Sequence, residues 1–147
     1  MAEDRGKFWS RADFRHFVDI PTRWMDNDVY GHVNNVQYYS FFDTAVNGYL
    51  IGRGVLDIAD GAVIGLVVET MCRYAAPITF PETIEAGLCV SRIGNSSVRY
   101  EVGLFHRTNA TACAAGHFIH VYVDRETRRP TALPEDLRRV LDEIVSG

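Results

Sequence analysis

The sequence is poor in cysteine, and its three cysteines lack the spacing that a covalent or metal-held framework needs. Cys72, Cys89 and Cys113 are odd in number and widely separated, without a C-x-x-C pair or a nearby set of Cys and His ligands. These features argue against a disulfide scaffold and against a zinc site. We therefore expect free buried thiols, no metal, and a reducing cytoplasmic environment.

An excess of positive charge and long apolar runs are also absent. The net charge is −4, which argues against nucleic acid as the main partner, because phosphate binding draws on clustered Lys and Arg. The opening residues, MAEDRGKFWSR, lack the apolar core of a signal peptide, and no run approaches the roughly 18 apolar residues of a membrane span. We expect neither nucleic acid nor a membrane as a partner.

The chain of 147 residues suits a single domain. After a loosely held segment at residues 1–12, its periodicity predicts strands at 14–23, 63–74, 83–93, 98–106 and 112–123, and helices at 36–51 and 134–145. This order predicts an α+β domain, with one five-stranded antiparallel sheet wrapped around the long helix and a short C-terminal helix. The nearly unbroken apolar run at 63–74 predicts a strand buried on both faces, at a subunit contact.

A dense polar turn leads directly into the long apolar helix. Asp26 and Asp28 stand in this turn, and Asn34 and Asn35 are good N-caps, with Gln37 at the spacing of a capping box after Asn34. Apolar residues point in nearly every direction around the helix, so we expect the sheet to enclose it. The unpaired N–H groups and positive dipole of a helix start can stabilise an oxyanion, and a carboxylate of the turn could face that point.

The turn reads R-x-x-D-x-D-x-x-G-H-V-N-N-x-x-Y, and in this form it resembles the hot-dog-fold thioesterases. The resemblance is to the group that includes 4-hydroxybenzoyl-CoA thioesterase and related bacterial acyl-CoA thioesterases, and it extends over residues 16–141. It implies a hot-dog fold and hydrolysis of an acyl-CoA. The matching positions of the turn are Arg23, Asp26, Asp28, Gly31, His32, Val33, Asn34, Asn35 and Tyr38.

The same resemblance assigns roles to several of these residues. Asp28 matches the catalytic carboxylate, which acts as a nucleophile or as a general base, and Asn35 matches the residue whose backbone N–H binds the thioester carbonyl. In plant acyl-ACP thioesterases the position of His32 is catalytic together with an asparagine two residues earlier, where this chain has Tyr30. His32 is therefore expected either to take part in catalysis, or only to position Asp28 or line the site. Asp26 is expected to brace the turn.

Further substrate contacts are predicted on both sides of this core set. Within the turn they are Tyr30, Gly31 and Asn34. Glu69 is either a second carboxylate of the site or a strand residue that faces solvent or pairs with Arg73. Ser96 and Ser97, with a basic cluster at Arg125, Arg128 and Arg129, either meet the phosphates of coenzyme A or form an ordinary turn and loop.

Two histidines outside the motif receive a structural interpretation. His117 and His120 are three residues apart on a strand and point to opposite faces, which excludes a shared metal. We expect both to be satisfied by hydrogen bonds.

Three activities are compatible with these features. The first is an acyl-CoA thioesterase, including fatty acyl-CoA hydrolase activity, which needs no cofactor because thiolate is a good leaving group. The alternatives are a hot-dog hydratase or dehydratase, and a non-catalytic acyl-CoA-binding module. We expect a homodimer or a dimer of dimers, that is a homotetramer, with the site at a subunit interface. The acyl group, whether aliphatic or aromatic, and the carrier, CoA or ACP, stay open.

Overall fold

The computed structural model describes residues 6–146 of the chain. Its strands are β1 (His16–Pro21), β2 (Val63–Tyr74), β3 (Thr83–Ile93), β4 (Ser97–Phe105) and β5 (Ala114–Asp124). Its α-helices are α1 (Gln37–Gly52) and α2 (Glu135–Asp142), and short 3-10 turns lie at Arg11–Asp13 and Trp24–Asp26. Every predicted strand and helix is present, with boundaries that move by a few residues.

The five strands form one antiparallel sheet in the order β1-β3-β4-β5-β2. Helix α1 packs on one face of this sheet, where Phe42, Val46 and Leu50 are almost completely buried and the Phe42 ring meets that of Phe118 with centroids 5.6 Å apart. α2 buries the apolar face that its periodicity predicted. This is the hot-dog arrangement, and the fold prediction is confirmed.

The enclosure of α1 is less complete than we expected. Ser40, Asp43, Thr44 and Gly48 are exposed on the side of the helix that faces away from the sheet. A single sheet can cover only one side of a helix, so the polar residues of α1 collect on the other side. The apolar residues of α1 therefore do form one buried face, although the sequence suggested burial all round.

The prediction that β2 is buried on both faces is wrong for the single chain. β2 is an edge strand, hydrogen-bonded to β5 on one side only. Val67 and Val68 are 47% and 60% exposed, and the pairing register shifts between Val67 and Glu69. The apolar sequence of this strand thus lacks its cover, because nothing in the described chain lies beyond it.

The N-terminal segment is attached more closely than we expected. Residues 1–5 lie outside the described residues, but the Trp9 side chain is buried with Phe14 and Phe105 on the sheet face that points away from α1. The Trp9 carbonyl accepts a hydrogen bond of 2.8 Å from the Ala112 N–H. Aromatic side chains on this outer face need cover, and the N-terminal segment supplies it.

The cysteines are free thiols. Cys89 and Cys113 are buried, and burial raises the pKa of each to about 12, so both are protonated at neutral pH. Cys72 is half-buried. Among residues 6–146, no helix is long and apolar enough to cross a membrane.

The two strand histidines point to opposite faces, as predicted, but only one of them is satisfied. His117 lies on the outer face, with its Nε2 2.8 Å from Glu69 Oε2 and its Nδ1 3.2 Å from Arg99 Nη2. His120 lies on the inner face against Tyr100, and its buried Nε2 has no hydrogen-bond partner within the described chain. Burial lowers the pKa of His120 from 6.5 to about 4.

The lowered pKa of His120 predicts a loss of stability in mild acid. Between pH 6.5 and 4, His120 is protonated in the unfolded state and neutral in the folded state. The free energy of unfolding therefore falls as the pH falls. His120→Phe keeps an aromatic ring among aromatic neighbours and removes the titrating group. Urea unfolding at pH 7 and pH 4 should show that wild type loses about 3 kcal/mol more than this variant. Parallel pH profiles would contradict this explanation.

Candidate active site

The turn before α1 is built around the carboxylate of Asp26, whose side chain is fully buried. Asp26 Oδ1 accepts hydrogen bonds from Arg23 Nε and Nη2 at 3.1 and 2.8 Å, and its Oδ2 accepts one from the Arg23 N–H at 2.8 Å. The Asp26 carbonyl in turn accepts a hydrogen bond of 2.8 Å from the Asn34 N–H. Asp26 therefore braces the turn, as expected, and joins it to the start of the helix.

Asp28 begins a narrow loop that follows the Asp26 turn and returns at His32. Its N–H donates to the His32 carbonyl at 2.9 Å, and its carbonyl accepts from the N–H of Gly31 at 3.1 Å. Gly31 has φ of +83°, a left-handed conformation that glycine adopts without strain. Asp28 Oδ1 accepts a hydrogen bond of 2.8 Å from the Tyr30 N–H.

The two carboxylate oxygens of Asp28 thus differ in their hydrogen bonding. One oxygen forms the local turn bond that aspartate forms in many loops. The other oxygen accepts no hydrogen bond from any residue between 6 and 146, and the side chain is only half-buried. One carboxylate oxygen is therefore available to a ligand or a water molecule.

Helix α1 begins one residue later than predicted, with Val36 at the N-cap position. Asn34 still satisfies the first turn, because its Oδ1 accepts from the Val36 N–H at 3.1 Å and its carbonyl accepts from the Gln37 N–H at 2.9 Å. The predicted capping box is absent, since the Asn34 N–H that it requires already donates to Asp26.

One amide of this helix start is left open. The N–H groups of Asn34, Val36, Gln37 and Tyr38 all have acceptors within the loop or the first turn. The Asn35 N–H has no acceptor in the described part of the chain, and Asn35 is exposed. The peptide that carries this N–H has its carbonyl, that of Asn34, directed into the helix toward Gln37. Because a trans peptide points its two polar groups in opposite directions, the Asn35 N–H points out of the helix.

Asn35 lines a cleft of about 310 Å³ together with His32, Tyr38, Tyr74 and Pro77. Burial raises the pKa of Tyr38 to about 12, so the phenol is protonated at neutral pH. Asp28 lines a second cleft, of about 510 Å³. The remaining walls of that second cleft are formed by Trp24, Met25, Asn27, Val29 and Gly31.

Six of the predicted site residues therefore lie together. They belong to one loop and the first turn of α1, and comprise Asp28, Tyr30, Gly31, His32, Asn34 and Asn35. Asp28 and Asn35 open onto adjacent clefts and do not share one pocket within the single chain.

Three other predicted residues lie elsewhere in this chain. Glu69 is on the outer face of the sheet and pairs with His117, so it pairs neither with Arg73 nor with the loop. Ser96 and Ser97 lie at the turn between β3 and β4, where the Ser96 carbonyl accepts from the Tyr122 N–H at 2.7 Å. Tyr74, beside Asn35, pairs with Ala114 at the opposite end of β5. Ser96 and Ser97 therefore do not reach Asn35 of their own chain.

The basic cluster is also partly engaged in structure. The guanidinium of Arg125 donates to the carbonyls of Gly61 and Ile58, where it holds the loop before β2. Arg128 and Arg129 remain exposed. In residues 6–146, no three His, Cys, Asp or Glu side chains are grouped closely enough to hold a metal ion.

Two features of the site were missed by sequence reasoning. The Tyr74 hydroxyl donates to the Asn35 carbonyl at 3.2 Å, across a separation of 39 residues. Large apolar side chains surround Asp28, with Val29 93% and Trp24 76% exposed. The second feature had a signal, because Trp, Met, Val and Tyr are unusual within so polar a turn.

The five-stranded sheet, the single long helix and the open amide at its start together define a protein of the hot-dog class. The chain belongs to the thioesterase-like superfamily, whose family model matches residues 22–141. That match contains both the acidic turn and the whole of α1.

Solved structures agree with this assignment. The chain is similar to the PA5185 protein of Pseudomonas aeruginosa PAO1, with 58% identity and a TM-score of 0.92 over 94% of this chain and 96% of that one. It is 30% identical to PA2801 of Pseudomonas aeruginosa, for which thioesterase activity has been proposed, with a TM-score of 0.79 over 84% of this chain and 95% of that one.

A 1,4-dihydroxy-2-naphthoyl-CoA thioesterase from Synechocystis has the same fold. It is 16% identical, with a TM-score of 0.79 over 86% of this chain and 94% of that chain. At this identity the likeness concerns the fold alone.

Proposed function

We propose that the protein is an acyl-CoA thioesterase that hydrolyses its substrate to a free acid and coenzyme A. The observation that carries this proposal is the open Asn35 N–H at the start of α1, next to a loop in which Asp28 keeps one carboxylate oxygen unpaired. Hydrolysis of a thioester needs a donor for the oxyanion and a group that attacks or that activates water. This loop and helix start supply one of each.

The Asn35 N–H serves as the oxyanion donor. When the thioester carbonyl is attacked, its oxygen becomes negatively charged, and the amide together with the positive end of the α1 dipole stabilises that charge. The amide is fixed by the helix before the substrate arrives, so no reorganisation is needed during the reaction. Asn34 acts through its cap of the first turn, which holds this geometry.

Asp28 supplies the attacking chemistry by one of two routes. As a general base, Asp28 takes a proton from water while the water oxygen bonds to the carbonyl carbon. The tetrahedral intermediate then expels the thiolate, and Asp28 passes the proton to it. As a nucleophile it bonds to the carbonyl carbon and displaces the thiolate, giving a mixed anhydride that water then hydrolyses. Both routes balance without a cofactor or metal, because the thiolate of coenzyme A leaves readily.

The remaining loop residues act on substrate position. Gly31 lets the loop turn tightly beside Asp28, and Tyr30 presents an exposed ring next to it. His32 lines the cleft with Asn35, and its carbonyl holds the backbone of Asp28. We propose that His32 positions Asp28 and contacts the thioester rather than transferring a proton.

The Asp28→Asn variant tests this assignment. Asparagine keeps the acceptor for the Tyr30 N–H but can neither attack nor take a proton, so we expect thiol release to fall by at least about a hundredfold. The assay follows free thiol over a panel of short, long and aromatic acyl-CoAs and one acyl-ACP. Asp57→Asn is the matched control, because Asp57 forms the same kind of turn bond to the Ala59 N–H at 3.1 Å.

Three results would overturn the proposal. A fully active Asp28→Asn variant would remove the carboxylate from the mechanism. Tight binding of acyl-CoA with no thiol release across the panel would favour a binding module. Loss of enoyl absorbance without thiol release would favour a hydratase.

We further propose that a second copy of the chain completes the site. The free edge of β2 carries Leu66, Val67 and Val68, and the Asp28 loop exposes Trp24 and Met25. An open strand edge with apolar side chains is a surface that proteins pair or protect. Pairing two β2 strands would cover this edge. We infer that it would also bring Glu69 and the Ser96–Ser97 turn of one copy close to the Asp28 loop and the start of α1 of the other copy. A dimer of dimers, that is a homotetramer, extends the same proposal.

The Val68→Lys variant tests the second copy. Val68 is 60% exposed in the single chain, so lysine is tolerated by the monomer, whereas pairing across the edge would bury two like charges. Sedimentation velocity should show a dimer or tetramer for wild type and a monomer with reduced thiol release for the variant. Val145→Lys is the control, because Val145 is 38% exposed and bridges to Val90 of β3, which β4 and β5 separate from β2. A monomeric wild type with full activity would contradict the proposal.

A further inference from the structure

Tyr74 connects the end of the edge strand to the helix start. It is the last residue of β2, and its hydroxyl donates to the Asn35 carbonyl at 3.2 Å. Its ring stands edge-on to that of Tyr38, with centroids 4.8 Å apart and planes at 75°. Tyr74 and Asn35 also line the same cleft.

The hydrogen bond of Tyr74 acts on the peptide next to the open amide. The peptide between Asn35 and Val36 is held on one side by Asn34 Oδ1, which accepts from the Val36 N–H. On its other side, the Asn35 carbonyl accepts from the Tyr38 N–H at 3.3 Å and from the Tyr74 hydroxyl. Because first turns of helices fray, an added donor from a separate strand restricts rotation at Asn35.

We propose that Tyr74 is a positioning residue that holds the Asn35 N–H in the orientation that the thioester carbonyl requires. This inference rests on the proposed thioesterase function. Tyr74 does not contact the reacting atoms in this account; it acts through Asn35. Burial raises the pKa of Tyr74 above its ordinary value, so the phenol is protonated at neutral pH and the hydroxyl can donate.

A purely structural role explains the contact less well. The Tyr74 side chain is 46% exposed and sits at a strand end, where packing needs no hydroxyl. The chain offers a direct comparison, because the Tyr49 hydroxyl donates to the Val140 carbonyl at 3.1 Å near the other end of α1. Tyr49 and Tyr74 thus make the same bond to a carbonyl, but only Tyr74 makes it beside the open amide.

The experiment compares Tyr74→Phe with Tyr49→Phe in the full chain. Each variant removes one hydroxyl and keeps the ring. We expect the larger loss of stability for Tyr49→Phe, because Tyr49 is buried and its hydroxyl also accepts a hydrogen bond of 3.2 Å from Arg53 Nη1. Tyr74→Phe should lower kcat by about tenfold, because a loosened donor stabilises the oxyanion less, with KM within about twofold. Tyr49→Phe should keep the wild-type kcat at a temperature where both variants are folded.

A second measurement separates positioning from general loosening of the site. Two CoA thioethers are titrated, with the chain length of the best substrate: a 2-oxoalkyl thioether, which has a carbonyl, and the matching alkyl thioether, which has none. Tyr74→Phe should weaken binding of the first about three- to tenfold and leave the second unchanged. Equal weakening of both, or an unchanged kcat, would overturn the inference.

The outcome is independent of the test of the proposed function. Absence of thiol release by wild type refutes the thioesterase proposal itself. An active wild type, an inactive Asp28→Asn variant and an unaltered Tyr74→Phe variant refute the role of Tyr74 alone.

Discussion

The ion pair between the buried carboxylate of Asp26 and the partly exposed Arg23 is the interaction on which the rest of the site depends. A carboxylate that is wholly removed from water is costly unless it is paired and hydrogen-bonded, and Arg23 provides three donors to it. The backbone carbonyl of Asp26 also accepts a hydrogen bond from the Asn34 N–H. The exit of β1, the narrow loop at Asp28 and the start of α1 are thereby fixed relative to one another, and the two neighbouring aspartates acquire different roles.

Much of this arrangement could be predicted from local patterns. Alternation along the strands and the apolar run of α1 were sufficient for the order of elements, because each is a property of a few neighbouring residues. The failures involve distant partners. The capping box is absent because the Asn34 N–H donates to the Asp26 carbonyl. Glu69 pairs with His117 because the sheet places His117 of β5 opposite Met71, two residues along β2 from Glu69. His120 was expected to be satisfied, and its buried Nε2 is not.

The apolar sequence of β2 shows a different limit. A pattern of apolar residues predicts that a strand is covered, but it cannot say whether the cover comes from the same chain. In this chain the strand lies at the edge of the sheet, and the Asp28 loop exposes Trp24 and Val29. Asp28 and Asn35 open onto adjacent clefts. A second copy that covers these surfaces would explain both the apolar sequence of the edge strand and the separation of Asp28 and Asn35 into two clefts.

The central claim is that the Asn35 N–H donates a hydrogen bond to the thioester carbonyl oxygen and stabilises its negative charge during hydrolysis. The most direct measurement is the ¹H–¹⁵N spectrum of the protein during titration with a 2-oxoalkyl thioether of coenzyme A. We expect a downfield shift of the Asn35 amide proton, with much smaller changes at Asn34 and Val36, whose N–H groups already have acceptors. An Asn35 resonance that does not move while the ligand saturates the site would contradict the account.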